Sequence, residues 1–179
     1  MIKNLIFNED IIAIKKKMLT QNLTPLELEL LRHEGWNEHR VQSAAKIFFD
    51  RMNTEFEARK IGKVFFFQID NGANNLSAGA KIRKWQEGTV AKMPDTGIII
   101  FCAKKNHSKT LFCEFKKVGT EREICGNSDS KSGLKIKRHY ECQLALHEGL
   151  RKMNCIVYLT NNLVYCEKVI GEEIRAFCE

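Results

Sequence analysis

Apolar residues follow two rhythms along this chain, and the switch between them divides it into elements. From residue 37 to about residue 60, Val41, Ala44, Ala45, Phe48, Met52 and Phe56 recur at three-to-four spacing. That period predicts a long amphipathic helix, with Asn37 as its cap. Residues 9–35 read as a helical preface. In it Thr24-Pro25-Leu26-Glu27 has the form of a capping box with proline at the first helical position, and Leu26, Leu28, Leu30 and Leu31 supply an apolar stripe. Short apolar runs then take over. The Phe-rich residues 64–69 predict a buried strand, residues 97–103 a second and residues 110–117 a third, with a polar turn at 104–109. Helical spacing returns over 137–153, residues 155–159 predict another buried strand, and 163–177 a final helix.

Two polar stretches interrupt this pattern. Residues 70–92 carry Asn71-Gly72, Asn74-Asn75, Gly79 and Gly88, a loop of a length that in compact domains belongs to function or to disorder. Residues 119–135, rich in Gly and Ser, are expected to be flexible and outside the core. Helix, three strands, helix, strand and helix together predict an α/β domain with a central mixed sheet flanked by helices. A length of 179 residues suits one such domain. Its expected extent is 37–179, preceded by an N-terminal helical extension over 1–36.

Composition narrows the class. No apolar run reaches the length of a membrane-spanning helix, so no membrane partner is expected. Residues 1–18 lack the continuous apolar centre and cleavage site of a secretory signal. The seven cysteines are odd in number, scattered and without a CxxC pair, which points to free thiols in a reduced, cytoplasmic setting. The formal charge of +7 favours a polyanionic partner, since Lys and Arg contacts to phosphates release condensed counterions. Solubility alone is the plainer explanation of that charge.

The chemistry concentrates on Pro94-Asp95 and Glu114-Phe115-Lys116. Strand alternation puts Glu114 and Lys116 on one face, with Cys113 and Phe115 on the other. A hairpin brings Asp95, at the mouth of the preceding strand, beside Glu114. Two carboxylates so placed form an all-oxygen site suited to Mg²⁺ or Mn²⁺. A lysine beside them can hold the attacking water and offset charge that builds on a phosphate. An isolated ExK is a common surface pattern, so the surrounding order of residues decides its meaning. The five histidines form neither HxH nor HExxH, which leaves a His-metal nuclease without support.

That order is Glu38-His39-Arg40-Val41-Gln42 on a helix, a Phe-rich strand, Asn71-Gly72, Gly88, Pro94-Asp95, Glu114-Phe115-Lys116 and Gln143. Over residues 37–175 it resembles the VRR-NUC branch (virus-type replication and repair nucleases) of the PD-(D/E)XK superfamily. The resemblance implies a restriction-endonuclease-like core and a metal-dependent DNA endonuclease. Asp95 and Glu114 would bind Mg²⁺ or Mn²⁺, joined by the main-chain carbonyl of Phe115 and with Glu38 as a further candidate. Lys116 would be the catalytic lysine, and Gln143 would orient it or contact phosphate. Glu38 reads equally as a first-turn acid favoured by the helix dipole, and Gln143 as a solvated helix residue.

For DNA contacts the candidates are Lys81, Arg83, Lys84 and Lys92, with Gln42 and Asn71 beside them. Trp85, among those lysines, reads better as a loop anchor than as a base-stacking residue. Small members of the branch imply branched DNA or a Holliday junction as substrate, a homodimer, and a role in repair, recombination or phage replication. Two departures stand out. Met93 occupies the position before Pro-Asp where the family often has glycine, and 119–135 is a long polar insertion. A sequence-selective restriction-type enzyme and a non-catalytic DNA-binding protein are the alternatives.

Overall fold

The computed structural model describes residues 2–69, 93–119 and 131–179. Three helices come first among them: α1 (Asn8–Met18), α2 (Pro25–Arg32) and α3 (Glu38–Ala58). Strands β1 (Gly62–Gln68), β2 (Thr96–Cys102) and β3 (His107–Phe115) follow, then α4 (Lys131–Lys152) and β4 (Ile156–Thr160). Beyond them lie α5 (Leu163–Tyr165), a π-helical turn (Cys166–Ile170) and α6 (Gly171–Cys178). The four strands form one mixed sheet in the order β1-β2-β3-β4. The first three pair antiparallel and β4 joins β3 in parallel. A parallel neighbour needs a crossover, and the segment carrying α4 makes it.

Local chemistry accounts for the helix starts. Thr24 and Glu27 exchange the two bonds of a capping box: the Glu27 N–H donates to Thr24 Oγ1 at 3.3 Å, and the Thr24 N–H donates to Glu27 Oε2 at 2.7 Å. The Asn37 carboxamide accepts from the Arg40 N–H at 2.9 Å and so opens α3. Along α3 the buried stripe is Val41, Ala45, Phe49, Met52 and Phe56. Phe49 replaces the expected Phe48, because the stripe is centred slightly further round the helix. Phe48 instead lies over Gly171, where an added Cβ would come within 2.9 Å of its ring.

Several boundaries differ from expectation: β1 starts at Gly62, β3 ends at Phe115 rather than at residue 117, and the final helix is broken by the π-helical turn. β3 begins three residues early, and the turn before it closes through Asn106 at φ 46°, a left-handed conformation that asparagine tolerates. Residues 131–135, expected within the flexible stretch, belong to the 22-residue α4. The long helix overrides the weak local propensity of Ser132 and Gly133. The rest of that stretch, 120–130, lies outside the described residues, as do residues 70–92.

One face of the sheet carries the main core. Val64, Phe66, Ile98, Ile100, Leu111, Cys113 and Phe115 pack there with the α3 stripe and with Ile170, Ile174 and Cys178. Ile6 and Ile11, from the N-terminal extension, join this same cluster. α4 covers the opposite face near β3 and β4, where Gln143, His147 and Leu150 are buried, whereas Phe65, Ile99 and Phe101 stay exposed. Among the described residues no helix is long and apolar enough to cross a membrane. Their six cysteines are unpaired.

Candidate active site

Antiparallel register sets the first pair of residues. Thr96 lies opposite Cys113, so the next position outward faces Asp95 to Glu114. The Asp95 N–H donates to Glu114 Oε2 at 3.2 Å, and the Thr96 hydroxyl donates to the Cys113 carbonyl at 3.0 Å, pinning the mouth of the hairpin. One residue past β3, the Lys116 ammonium donates to Glu114 Oε1 at 2.5 Å. Alternation along β3 explains that contact, since side chains two apart share a face. From the helix above, the Gln143 carboxamide donates to the same Oε1 at 2.7 Å. Glu38, in the first turn of α3, brings its Oε1 to 3.9 Å from the Lys116 ammonium.

Asp95, Glu114, Lys116, Gln143 and Glu38 thus converge on one place. Phe115 inserts its side chain into the core, and its main chain links Glu114 to Lys116. Gln42 is half-buried, one turn along α3 from Glu38. Asn71, Lys81, Arg83, Lys84 and Lys92, expected on the DNA face, lie outside the described residues.

Burial dominates the electrostatics. Glu114 is 1% exposed. Removal from water pushes its carboxyl up, and the negative charge of Asp95 adds to that. Lys116 and the two hydrogen bonds pull it back only partly, leaving it at about 7. For Lys116, burial alone would lower the ammonium, but Glu114, Glu38 and Asp95 more than offset it and raise it. Lys116 therefore keeps its proton, while Glu114 stands at the balance point between acid and carboxylate near neutral pH.

Asp95 and Glu114 are the carboxyl groups here that could hold a hard cation. Two carboxyl groups repel one another in a poorly solvated place, which a divalent cation between them would relieve. Among the described residues no group of three or more His, Cys, Asp and Glu side chains is placed to hold a metal. The donors available here are therefore Asp95, Glu114 and a main-chain carbonyl, with solvent or substrate oxygens completing the shell. Lys116, Gln143 and the Asp95 N–H already occupy three positions on Glu114, so a cation would have to share or displace them.

His147, one of the five histidines that form no metal-binding pattern in the sequence, packs beside this site. It lies one turn beyond Gln143 on α4, fully buried, with neither ring nitrogen hydrogen-bonded among the described residues. Burial, then Arg151 and Lys116, lower its pKa to about 4, so it packs as a neutral ring. An unfolded histidine takes up a proton near pH 6.5. His147 therefore costs no proton-linked stability above that pH, and it removes stability as pH falls from about 6.5 towards 4, by up to about 3 kcal/mol. In urea titrations His147→Leu is expected to be the more stable protein, with a margin that widens below pH 6.5. A margin independent of pH would contradict the neutral, buried ring.

No family model, no curated protein and no solved structure matches the chain. The site's geometry and its sequence pattern are the observations on which a functional reading rests.

Proposed function

We propose that this chain is a metal-dependent DNA endonuclease of the PD-(D/E)XK type, built on a restriction-endonuclease-like core of the VRR-NUC branch. The observation that carries the reading is the convergence of Asp95, Glu114 and Lys116 at the ends of neighbouring strands, with Gln143 bonded to Glu114. Fewer parts would fit many surfaces. A buried carboxyl with a raised pKa beside a buried ammonium is costly, and such groups concentrate at functional sites.

Asp95, Glu114 and the Phe115 carbonyl would hold Mg²⁺ or Mn²⁺, which when bound supplies the Lewis acidity that phosphodiester hydrolysis needs. The protein's own groups do the remainder. Lys116 holds the attacking water and offsets negative charge that develops on the phosphate. Gln143 fixes the rotamer of Glu114, which keeps that carboxyl turned towards Lys116. Glu38 helps keep Lys116 charged. Lys81, Arg83, Lys84 and Lys92, with Asn71 and Gln42, are the proposed contacts to DNA, in keeping with the charge of +7. A homodimer acting on branched DNA is the form proposed, because a two-fold assembly matches the two cuts that a four-way junction requires.

The experiment offers labelled four-way junction, flap, single-stranded and linear duplex DNA to the protein with Mg²⁺, Mn²⁺ or EDTA. Cutting is expected with either metal, strongest on the junction, and absent in EDTA and in Asp95→Ala. Cutting that persists in EDTA would overturn the metal site. Binding without cutting on any substrate would favour a non-catalytic DNA-binding protein, and cutting confined to one duplex sequence a restriction-type enzyme. A strict monomer by light scattering, with and without junction DNA, in a preparation that still cuts would remove the dimer.

A further inference from the structure

Past the end of β3 the backbone is held at every step. The Lys116 N–H donates to the Thr160 carbonyl at 3.0 Å, the Val118 N–H to the Trp36 carbonyl at 2.9 Å, and the Gly119 N–H to the Ile6 carbonyl at 3.0 Å. Between them, the Lys117 carbonyl accepts from Asn161 Nδ2 at 3.1 Å. Asn161 also clasps the N-terminal segment: Nδ2 donates to the Ile6 carbonyl at 2.8 Å, and Oδ1 accepts from the Ile6 N–H at 2.6 Å. The side chain is 1% exposed, so these bonds use both of its N–H groups where water cannot replace them.

Neighbouring residues extend the clasp. The Thr160 hydroxyl donates to the Asn4 carbonyl at 2.6 Å, and Asn162 Nδ2 donates to the Lys3 carbonyl at 2.7 Å. Gly119 leaves the clasp at φ +80°, where a Cβ would lie 2.4 Å from Asn8 Oδ1. Only glycine suits both that conformation and that contact. Lys116 sits one residue beyond β3, its N–H bond to the Thr160 carbonyl is the last tie to the sheet, and the chain that follows is held by Asn161.

We infer that Asn161 is a positioning residue for Lys116, and that residues 3–6 belong to the scaffold of the candidate active site. The consequence for catalysis rests on the nuclease reading above. Asn161 holds the carbonyl next to Lys116 and the N-terminal segment with one carboxamide, so the two move together. A displacement of about 1 Å at a reacting group is enough to cost on the order of a hundredfold in rate.

The test compares Asn161→Ala and the milder Asn161→Ser with Asn162→Ala. The last removes the bond to Lys3 and the cap on Tyr165 but leaves the Lys117 carbonyl held. Assays run with saturating Mg²⁺ at a temperature where circular dichroism shows each variant folded. In both Asn161 variants kcat is expected to fall by about tenfold or more with KM unchanged within about twofold, because orientation rather than binding is lost. Asn162→Ala is expected to lose thermal stability but keep the wild-type kcat. Equal kcat in the Asn161 and Asn162 variants overturns the inference. If the wild type cuts nothing, the nuclease reading has failed on its own, and amide hydrogen exchange judges the inference instead. Faster exchange at Lys116 and Gly119 in Asn161→Ser than in Asn162→Ala supports it, and equal exchange overturns it.

Discussion

Glu114→Gln is expected to make the metal-free protein more stable at pH 8 while abolishing the proposed cutting of DNA. The sign follows from the burial of Glu114 and its carboxyl at about 7. A carboxyl raised by folding contributes stability below its unfolded pKa of about 4.5, and that contribution disappears as pH rises through the folded value. At pH 8 the wild type thus carries a buried carboxylate whose ionisation opposes folding by about 3 kcal/mol. Glutamine has the same shape and no charge. It gives up the acceptor facing the Asp95 N–H, which costs about 1 kcal/mol. Denaturant titrations should therefore show a gain of about 2 kcal/mol at pH 8 that falls to zero near about pH 5 and becomes a loss of about 1 kcal/mol at lower pH. Divalent cation should reverse the ranking, because it would bind only the folded wild type and stabilise it by mass action. A variant less stable than wild type at pH 8 without metal would mean that Glu114 is a structural ion-pair partner.

On the proposed nuclease reading, Lys116→Met is expected to reduce the cutting rate by about a hundredfold to ten-thousandfold, the range associated with losing a positioned proton-transfer or charge-stabilising group. Methionine retains the length and apolar stem of the lysine, which separates loss of the ammonium from loss of packing. Lys116 is also the largest influence holding the Glu114 carboxyl down. Its removal should raise that carboxyl further and shift divalent-metal binding, read by calorimetry, to higher pH. DNA affinity in the presence of Ca²⁺ is expected to change little, because Lys116 is mostly buried. Rapid cutting by Lys116→Met would transfer the catalytic role to another group.

These expectations share a physical theme. Asp95, Glu114 and Lys116 are arranged at a cost to stability, while the sheet around them is packed with Ile, Leu, Phe and Cys. An arrangement of this kind persists when the surroundings determine it, and here they do so by register. Thr96 opposite Cys113 and Phe115 opposite Thr160 fix the strand ends from both sides. Gln143 reaches Glu114 because the α4 crossover, required by the parallel β3–β4 pair, lies over that face.

Much of this was legible in the chain. The period of α3, the Thr24–Glu27 capping box and the Asn37 cap depend on interactions within a few residues, and they form as the residues dictate. The side-by-side placement of Glu114 and Lys116 follows from a period of two. Asp95 beside Glu114 needs only the knowledge that two strands form a hairpin. What tertiary structure alone decided is the environment of those groups. The near-complete burial of Glu114 depends on α4 folding down from a crossover, and that burial sets its pKa. Phe49 rather than Phe48 faces the core because the helix rotates to match the sheet beneath it. Asn161 clasps Ile6 across 155 residues of chain, a partnership that no local pattern can encode. Short-range preferences determined the elements and which polar groups lie side by side at the strand ends, and long-range packing determined what those groups feel.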